Sequence, residues 1–138
     1  MQRTELKMEE ILERVRSADF GANDVVVAVG RGGIIPGAII SRELSLGMEI
    51  IWVRSYSDDM PPKKVHDMPK LVRDFGADVS GKRVLLVDDV ARSGKTLECA
   101  KKIFLERGAV AVRTVAFVGR GADVTIFETD NCVKFPWD

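Results

Sequence analysis

With 138 residues, 46% of them hydrophobic, the chain can bury one sizeable core but is short for two, so a single domain over 1–138 is expected. Lysine plus arginine equals aspartate plus glutamate at 21 each, and this zero formal net charge disfavours a protein that binds nucleic acid through its overall field. The opening MQRTELKMEEILERVR lacks the apolar core of a signal peptide and no later apolar run reaches membrane-spanning length, so a soluble, cytoplasmic protein with no membrane partner is expected. Cys99 and Cys132 stand far apart in sequence, form no CxxC pair, and read as reduced thiols.

Leu6, Ile11, Leu12 and Val15 recur at near-helical spacing while Glu9, Glu10, Glu13, Arg14 and Arg16 fill the other face, which predicts an amphipathic packing helix over 4–18. After the turn residues Gly21, Asn23 and Asp24, Val25–Val29 is a continuous β-branched run of the kind buried on both faces of a parallel sheet. It ends in Gly30-Arg31-Gly32-Gly33; Pro36 then suits a first helical turn, and Ala38, Ile39, Ile40 and Leu44 continue a helix to a stop at Gly47. Glycines let the backbone approach an oxyanion and Arg31 adds a fixed charge, so this unit reads either as an anion site or as a plain strand-to-helix turn. It lacks the full GxGxxG fingerprint and the acid at the end of the next strand that a dinucleotide site requires.

Met48–Tyr56 predicts a second strand. Residues 57–66 are polar and broken by Pro61 and Pro62, which predicts a mobile loop. It reads either as a lid whose Lys63 or Lys64 reaches a phosphate or as a solvated surface loop. His66 has no companions at metal-ligand spacing and belongs with that loop.

The most informative stretch is Val84–Leu97, VLLVDDVARSGKTL. A buried strand over 84–88 runs into the adjacent carboxylates Asp88 and Asp89, and the chain then reaches Ser93-Gly94-Lys95-Thr96 at the start of a helix over 96–107. Carboxylates accept from sugar hydroxyls and the N–H groups of a helix start face anions, so the stretch suits a molecule carrying both hydroxyls and a phosphate. A Walker A loop would need glycine where Asp89 stands. A receiver domain would open with such a strand, and too little chain follows Asp89 to complete one. Ala111–Val118 and Val124–Glu128 are further strands, before an aromatic tail ending Phe135-Pro136-Trp137-Asp138. Strands alternating with helices predict a doubly wound α/β fold, with a mainly parallel sheet flanked by helices and ligands at the carboxyl ends of the strands.

VLLVDDVARSGKTL resembles the PRPP-binding signature of the type I phosphoribosyltransferases. VAVGRGGIIPG resembles their pyrophosphate loop, and RSYSDD with the following lysines resembles the flexible hood over their active site. In order, spacing and the closing PWD the chain is most similar to the small xanthine-guanine and archaeal purine enzymes of that family. The resemblance implies Mg-dependent transfer of a phosphoribosyl group from PRPP to a nucleobase such as hypoxanthine, guanine or xanthine, with release of pyrophosphate. It implies that Asp88 and Asp89 hold the ribose hydroxyls directly or through Mg²⁺, the metal being held mostly by substrate or water oxygens. It assigns the 5-phosphate to the loop Ala91, Arg92, Ser93, Gly94, Lys95 and Thr96, and pyrophosphate to Arg31, Gly32 and Gly33, in a loop where relatives often carry a strained or cis peptide. Catalysis would then fall to Asp88, Asp89 and Arg31. A short C-terminal hood over 119–138 would cover the base, and the family's usual assembly is a homodimer or homotetramer.

Three positions depart from the purine pattern, all on the acceptor side. Arg92 stands where a third Asp usually accepts the purine proton, Gly119 where a lysine reads the 6-oxo group, and Cys132 where an aromatic residue stacks on the base. Arg120, Val133 and Trp137 are the candidates to rebuild that pocket. The departures leave two alternatives: a PRPP- or nucleotide-binding regulator with little base transfer, and a transferase for an anionic acceptor such as orotate.

Overall fold

The computed structural model describes residues 3–54, 70–73 and 78–138. The expected 57–66 loop, with Lys63, Lys64 and His66, lies outside them.

The elements run β1 (Arg3–Glu5), α1 (Met8–Ser17), β2 (Val25–Gly30), α2 (Ile34–Leu44), β3 (Met48–Arg54), β4 (Lys70–Arg73), β5 (Arg83–Ala91), α3 (Lys95–Glu106), β6 (Ala111–Gly119), β7 (Val124–Phe127) and β8 (Cys132–Lys134). Six strands form one sheet in the order β4-β3-β2-β5-β6-β7. Its pairings are parallel except for the antiparallel β3–β4 edge. Alternation along the strands sorts side chains into two cores. Val26, Leu85, Val87, Val115 and Phe117 face Ile11 and Val15 of α1 and Ile40 of α2. Val27, Val29, Val84, Leu86 and Ala116 face Leu97, Ala100 and Phe104 of α3. Strands buried on both sides need apolar residues at every position, which is why β2 and β5 read as unbroken valine and leucine runs.

The strand order reverses between β2 and β5, neighbours in the sheet whose following helices lie on opposite faces. Their carboxyl ends therefore open a crevice, the usual ligand position in such a fold. Gly30–Gly33 and Asp88–Thr96 both sit there.

Several boundaries differ from the sequence expectation. The first helix begins at Met8, because Arg3–Glu5 is instead a strand paired in parallel with β8, Arg3 opposite Cys132 and Glu5 opposite Lys134. A further bond from Leu6 N–H to the Lys134 carbonyl (3.0 Å) extends this ladder. β5 runs three residues past the expected 88, to Ala91, because β6 continues to pair with it, Val90 opposite Val118 and Ala91 opposite Gly119. α2 stops at Leu44 on a left-handed Ser45 (φ 55°) rather than at Gly47, with the Ser41 hydroxyl donating to the Leu46 carbonyl (2.5 Å). Among the described residues no helix is long and apolar enough to cross a membrane.

Candidate active site

The glycines after β2 are there because other groups approach the backbone. A methyl on Gly30 would stand 3.0 Å from the Trp52 ring, and one on Gly32 2.5 Å from Asp89 Oδ1. On Gly33 it would strike the carbonyl oxygens of Val87 and Val29. The glycine turn thus lies directly against the tip of β5, with the Asp89 carboxylate as its neighbour. The Gly30–Arg31 peptide is cis, as the resemblance anticipated, and the Arg31 side chain is exposed on the crest of the turn.

Within the acidic pair each carboxylate is fixed by backbone. Asp88 Oδ1 accepts from Asp89 N–H (2.8 Å) and Asp89 Oδ1 from Val90 N–H (2.7 Å). Burial, and then the charge of Asp89, push the Asp88 carboxyl up to about 8. Two carboxylates this close resist full ionisation unless positive charge arrives between them.

Beyond the pair, Asp88, Val90, Ala91 and the loop from Arg92 to Leu97 line a pocket of about 90 Å³, room for one small anion. Gly94 is the N-cap of α3 and has no side chain to cap it, and a helix start of this kind favours an anion. The Ser93 hydroxyl accepts from Lys95 N–H at 3.3 Å. The loop after β6 buttresses this one: Ala91 O accepts from Arg120 N–H (3.0 Å) and Gly121 N–H (3.2 Å), and a methyl on Gly94 would meet Gly121 O at 2.6 Å. Gly119 sits at φ +117°, where a methyl would strike Ala91 O. A side chain such as lysine is therefore incompatible with this backbone at position 119.

A larger groove of about 430 Å³ lies at the opposite end of the sheet, against Asn23, Arg113 and Asp123. Two of its polar groups are already engaged: Asp123 accepts from the backbone and hydroxyl of Thr114, and the Asn23 amide donates to Phe20 O. The smaller pocket is the one lined by Asp88 and the Ser93–Thr96 loop.

A model of the phosphoribosyl transferase domain matches residues 1–134. The chain belongs to the phosphoribosyltransferase family. Among curated relatives, the xanthine-guanine phosphoribosyltransferase of Cereibacter sphaeroides is 33% identical over 126 residues, covering 87% of this chain and 72% of that protein. That of Desulfotalea psychrophila is 33% identical over 117 residues, covering 82% and 69%. The crystal structure of a purine phosphoribosyltransferase from Pyrococcus horikoshii superposes with a TM-score of 0.76 at 25% identity, covering 100% of this chain and 95% of that one. A Neisseria gonorrhoeae protein crystallised with bound ppGpp shares the fold, with a TM-score of 0.79 at 20% identity over 99% of this chain and 89% of its own.

This phosphoribosyltransferase brings the glycine turn, the acidic pair and the Ser93–Thr96 loop to one crevice. Arg120, Val133 and Trp137, the acceptor-side candidates, are not among the residues lining the pocket at the Ser93–Thr96 loop. Arg120 pairs with Asp130 (3.3 Å) on the surface. Val133 packs on the core, as does Trp137, stacked on Phe135 with ring centroids 4.8 Å apart. Asp138 closes this aromatic end by accepting from Phe135 N–H (2.8 Å), a local role for the PWD tail. The guanidinium of Arg92 donates to Thr129 O (2.6 Å) and Asn131 O (2.8 Å). Sequence reasoning missed the buttress of Gly119 and Gly121; their close spacing as GRG was the available signal. Nothing in sequence pointed to the two carbonyls that receive Arg92.

Proposed function

We propose that this phosphoribosyltransferase moves the phosphoribosyl group of PRPP to a purine base (hypoxanthine, guanine or xanthine), releasing pyrophosphate, with Mg²⁺ as its cofactor. The observation that carries the reading is the position of the acidic pair, with a glycine turn against Asp89 on one side and an uncapped helix start beside Asp88 on the other. A purine acceptor is supported by the relatives' names, xanthine-guanine and purine phosphoribosyltransferases.

The Ser93–Thr96 loop takes the 5-phosphate on backbone N–H groups and hydroxyls. Asp88 and Asp89 accept from the ribose hydroxyls, and Arg31 with the N–H groups of Gly32 and Gly33 holds the pyrophosphate. The donor set suits a hard cation that keeps its waters: among the described residues no three His, Cys, Asp or Glu side chains form a cage, so Asp88 and Asp89 would hold Mg²⁺ largely through substrate and water oxygens. Held there, Mg²⁺ would supply charge neutralisation at the leaving group.

At the anomeric carbon the C–O bond to pyrophosphate breaks while a lone pair of the base nitrogen forms the new C–N bond. The nitrogen's proton leaves to solvent, since a guanidinium at position 92 has no basic lone pair to receive it. Positive charge grows on the ribose, and two carboxylates held by backbone N–H groups face it without reorganising. The same charge favours the ionisation of Asp88 that burial and the neighbouring Asp89 oppose.

The test is to mix the protein with Mg²⁺ and PRPP, add each purine and pyrimidine base and orotate separately, and measure the nucleotide formed. Turnover on a 6-oxopurine is expected. PRPP binding without turnover on any base would instead make the chain a regulator, and turnover on orotate alone would make it a transferase for an anionic acceptor.

A further inference from the structure

We propose that Arg92 is a positioning strut that couples occupancy of the phosphate loop to the order of the base-side segment; which substrate half lies on which side rests on the function proposed above. Arg92 follows directly on Ala91, the last residue of β5, and precedes Ser93 in the loop that lines the pocket. From there its planar fork spans two carbonyls two residues apart, Nη1 to Thr129 O at 2.6 Å and Nη2 to Asn131 O at 2.8 Å. Two donors in a rigid fork fix the orientation of the turn as well as its distance, which a point-charge ammonium does not.

That turn joins β7 to β8, and β8 reaches across to β1, so it is the root of the segment made from the two ends of the chain. Its other polar contacts are weaker as anchors. Asn131 N–H to Thr129 Oγ1 (3.1 Å) lies within the turn and ties it to nothing else. Arg120 to Asp130 (3.3 Å) is a surface ion pair with both side chains more than 60% exposed, a class of contact worth little. Arg92 is exposed too, but its fork makes two bonds to main-chain carbonyls, at 2.6 and 2.8 Å, against a single ion-pair contact at 3.3 Å, and is the stronger hold. Any shift of the loop as an anion settles on the N–H groups of 93–96 therefore moves the Arg92 backbone, and with it the fork that fixes 129–131. Position 92 would thus serve the acceptor by placing the segment over it, without touching the base.

Hydrogen exchange on the full chain, with and without ribose 5-phosphate, tests this in the wild type, Arg92→Ala and Arg92→Lys. In the wild type the sugar phosphate should slow exchange at 93–97 and, by about tenfold, at 131–134. Arg92→Ala should keep the first effect and lose the second, and Arg92→Lys, able to reach one carbonyl, should recover part of it. In steady state Arg92→Ala should raise the acceptor KM about tenfold while the PRPP KM stays within about twofold, a split that general loosening of the fold would not produce. Equal protection of 131–134 in Arg92→Ala and wild type would overturn the proposal. So would a PRPP KM that rises as far as the acceptor KM, since Arg92 would then be a phosphate ligand. If ribose 5-phosphate protects neither region of the wild type, the phosphate-site reading fails; protection of 93–97 with 131–134 untouched sinks the strut alone.

Discussion

At the amino ends of the strands, Asp24 receives three hydrogen bonds from Arg83: from its backbone N–H at 2.8 Å, from Nε at 3.1 Å and from Nη2 at 2.9 Å. At the carboxyl ends of the same sheet, Asp88 and Asp89 stand side by side with backbone N–H groups and each other for company. The titration of the two ends follows. Arg83 holds Asp24 down at about 2, whereas burial and a like charge hold Asp88 up at about 8. One end keeps its charges matched; the other keeps unmatched acid, which the proposed transfer would set against a cationic transition state.

The sharpest way to break this contrast is at the glycine turn. Gly33→Ala places a methyl on two carbonyl oxygens, which cannot move aside without disturbing β2 and β5, so it should cost about 3 kcal/mol in a denaturant melt as well as most activity. The three atoms nearest a methyl at Gly32 all belong to the Asp89 carboxylate, a side chain. Gly32→Ala should cut turnover about tenfold through displacement of Asp89 while its stability in the denaturant melt stays within about 1 kcal/mol of wild type. If both variants lose stability equally, the carboxyl end is built for the fold as much as the amino end.

The pH predictions have opposite signs. A carboxyl raised from its ordinary 3.8 to about 8 binds more protons folded than unfolded, so its contribution to stability falls as pH rises between those values. Asp88→Asn should therefore raise the Tm of the ligand-free, metal-free protein near pH 8, and the gain should vanish near pH 4. Asp24 has a folded value of about 2, so its contribution is present above the ordinary 3.8 and is lost as pH falls toward 2. Asp24→Asn, the smallest effect because both partners are exposed to water, should lower the Tm slightly at pH 7, and this difference from wild type should shrink as pH falls from 4 toward 2. A Tm profile of Asp88→Asn parallel to wild type would remove the distinction between the two ends.

What the sequence revealed follows from how local each signal is. β2 and β5 declare themselves because strands covered on both faces must be apolar at every position, and Asp88-Asp89 interrupts such a run at the point where the strand leaves the core. β1 and β8 did not, since three residues carry no period and their pairing joins opposite ends of the chain. The extension of β5 to Ala91 depends on β6 as partner, and the buttress at Gly119 and Gly121 on the backbone of Ala91 and Gly94. Arg92 was visible as an oddity, but its partners are main-chain carbonyls, which every residue possesses and no residue type advertises. Trp137, expected at the base, is an aromatic side chain in either setting; only the packing shows it stacked on Phe135.

The central claim is that the acid at the tip of β5 serves transfer and not the fold. Its most direct test is kcat of Asp89→Asn, measured with saturating PRPP, Mg²⁺ and the best purine base, alongside the Tm of the same sample. Loss of the charge facing the ribose should lower kcat about a hundredfold with the Tm equal to wild type or above it. A kcat that stays at the wild-type value, or a fall in kcat matched by a fall in Tm, would contradict it.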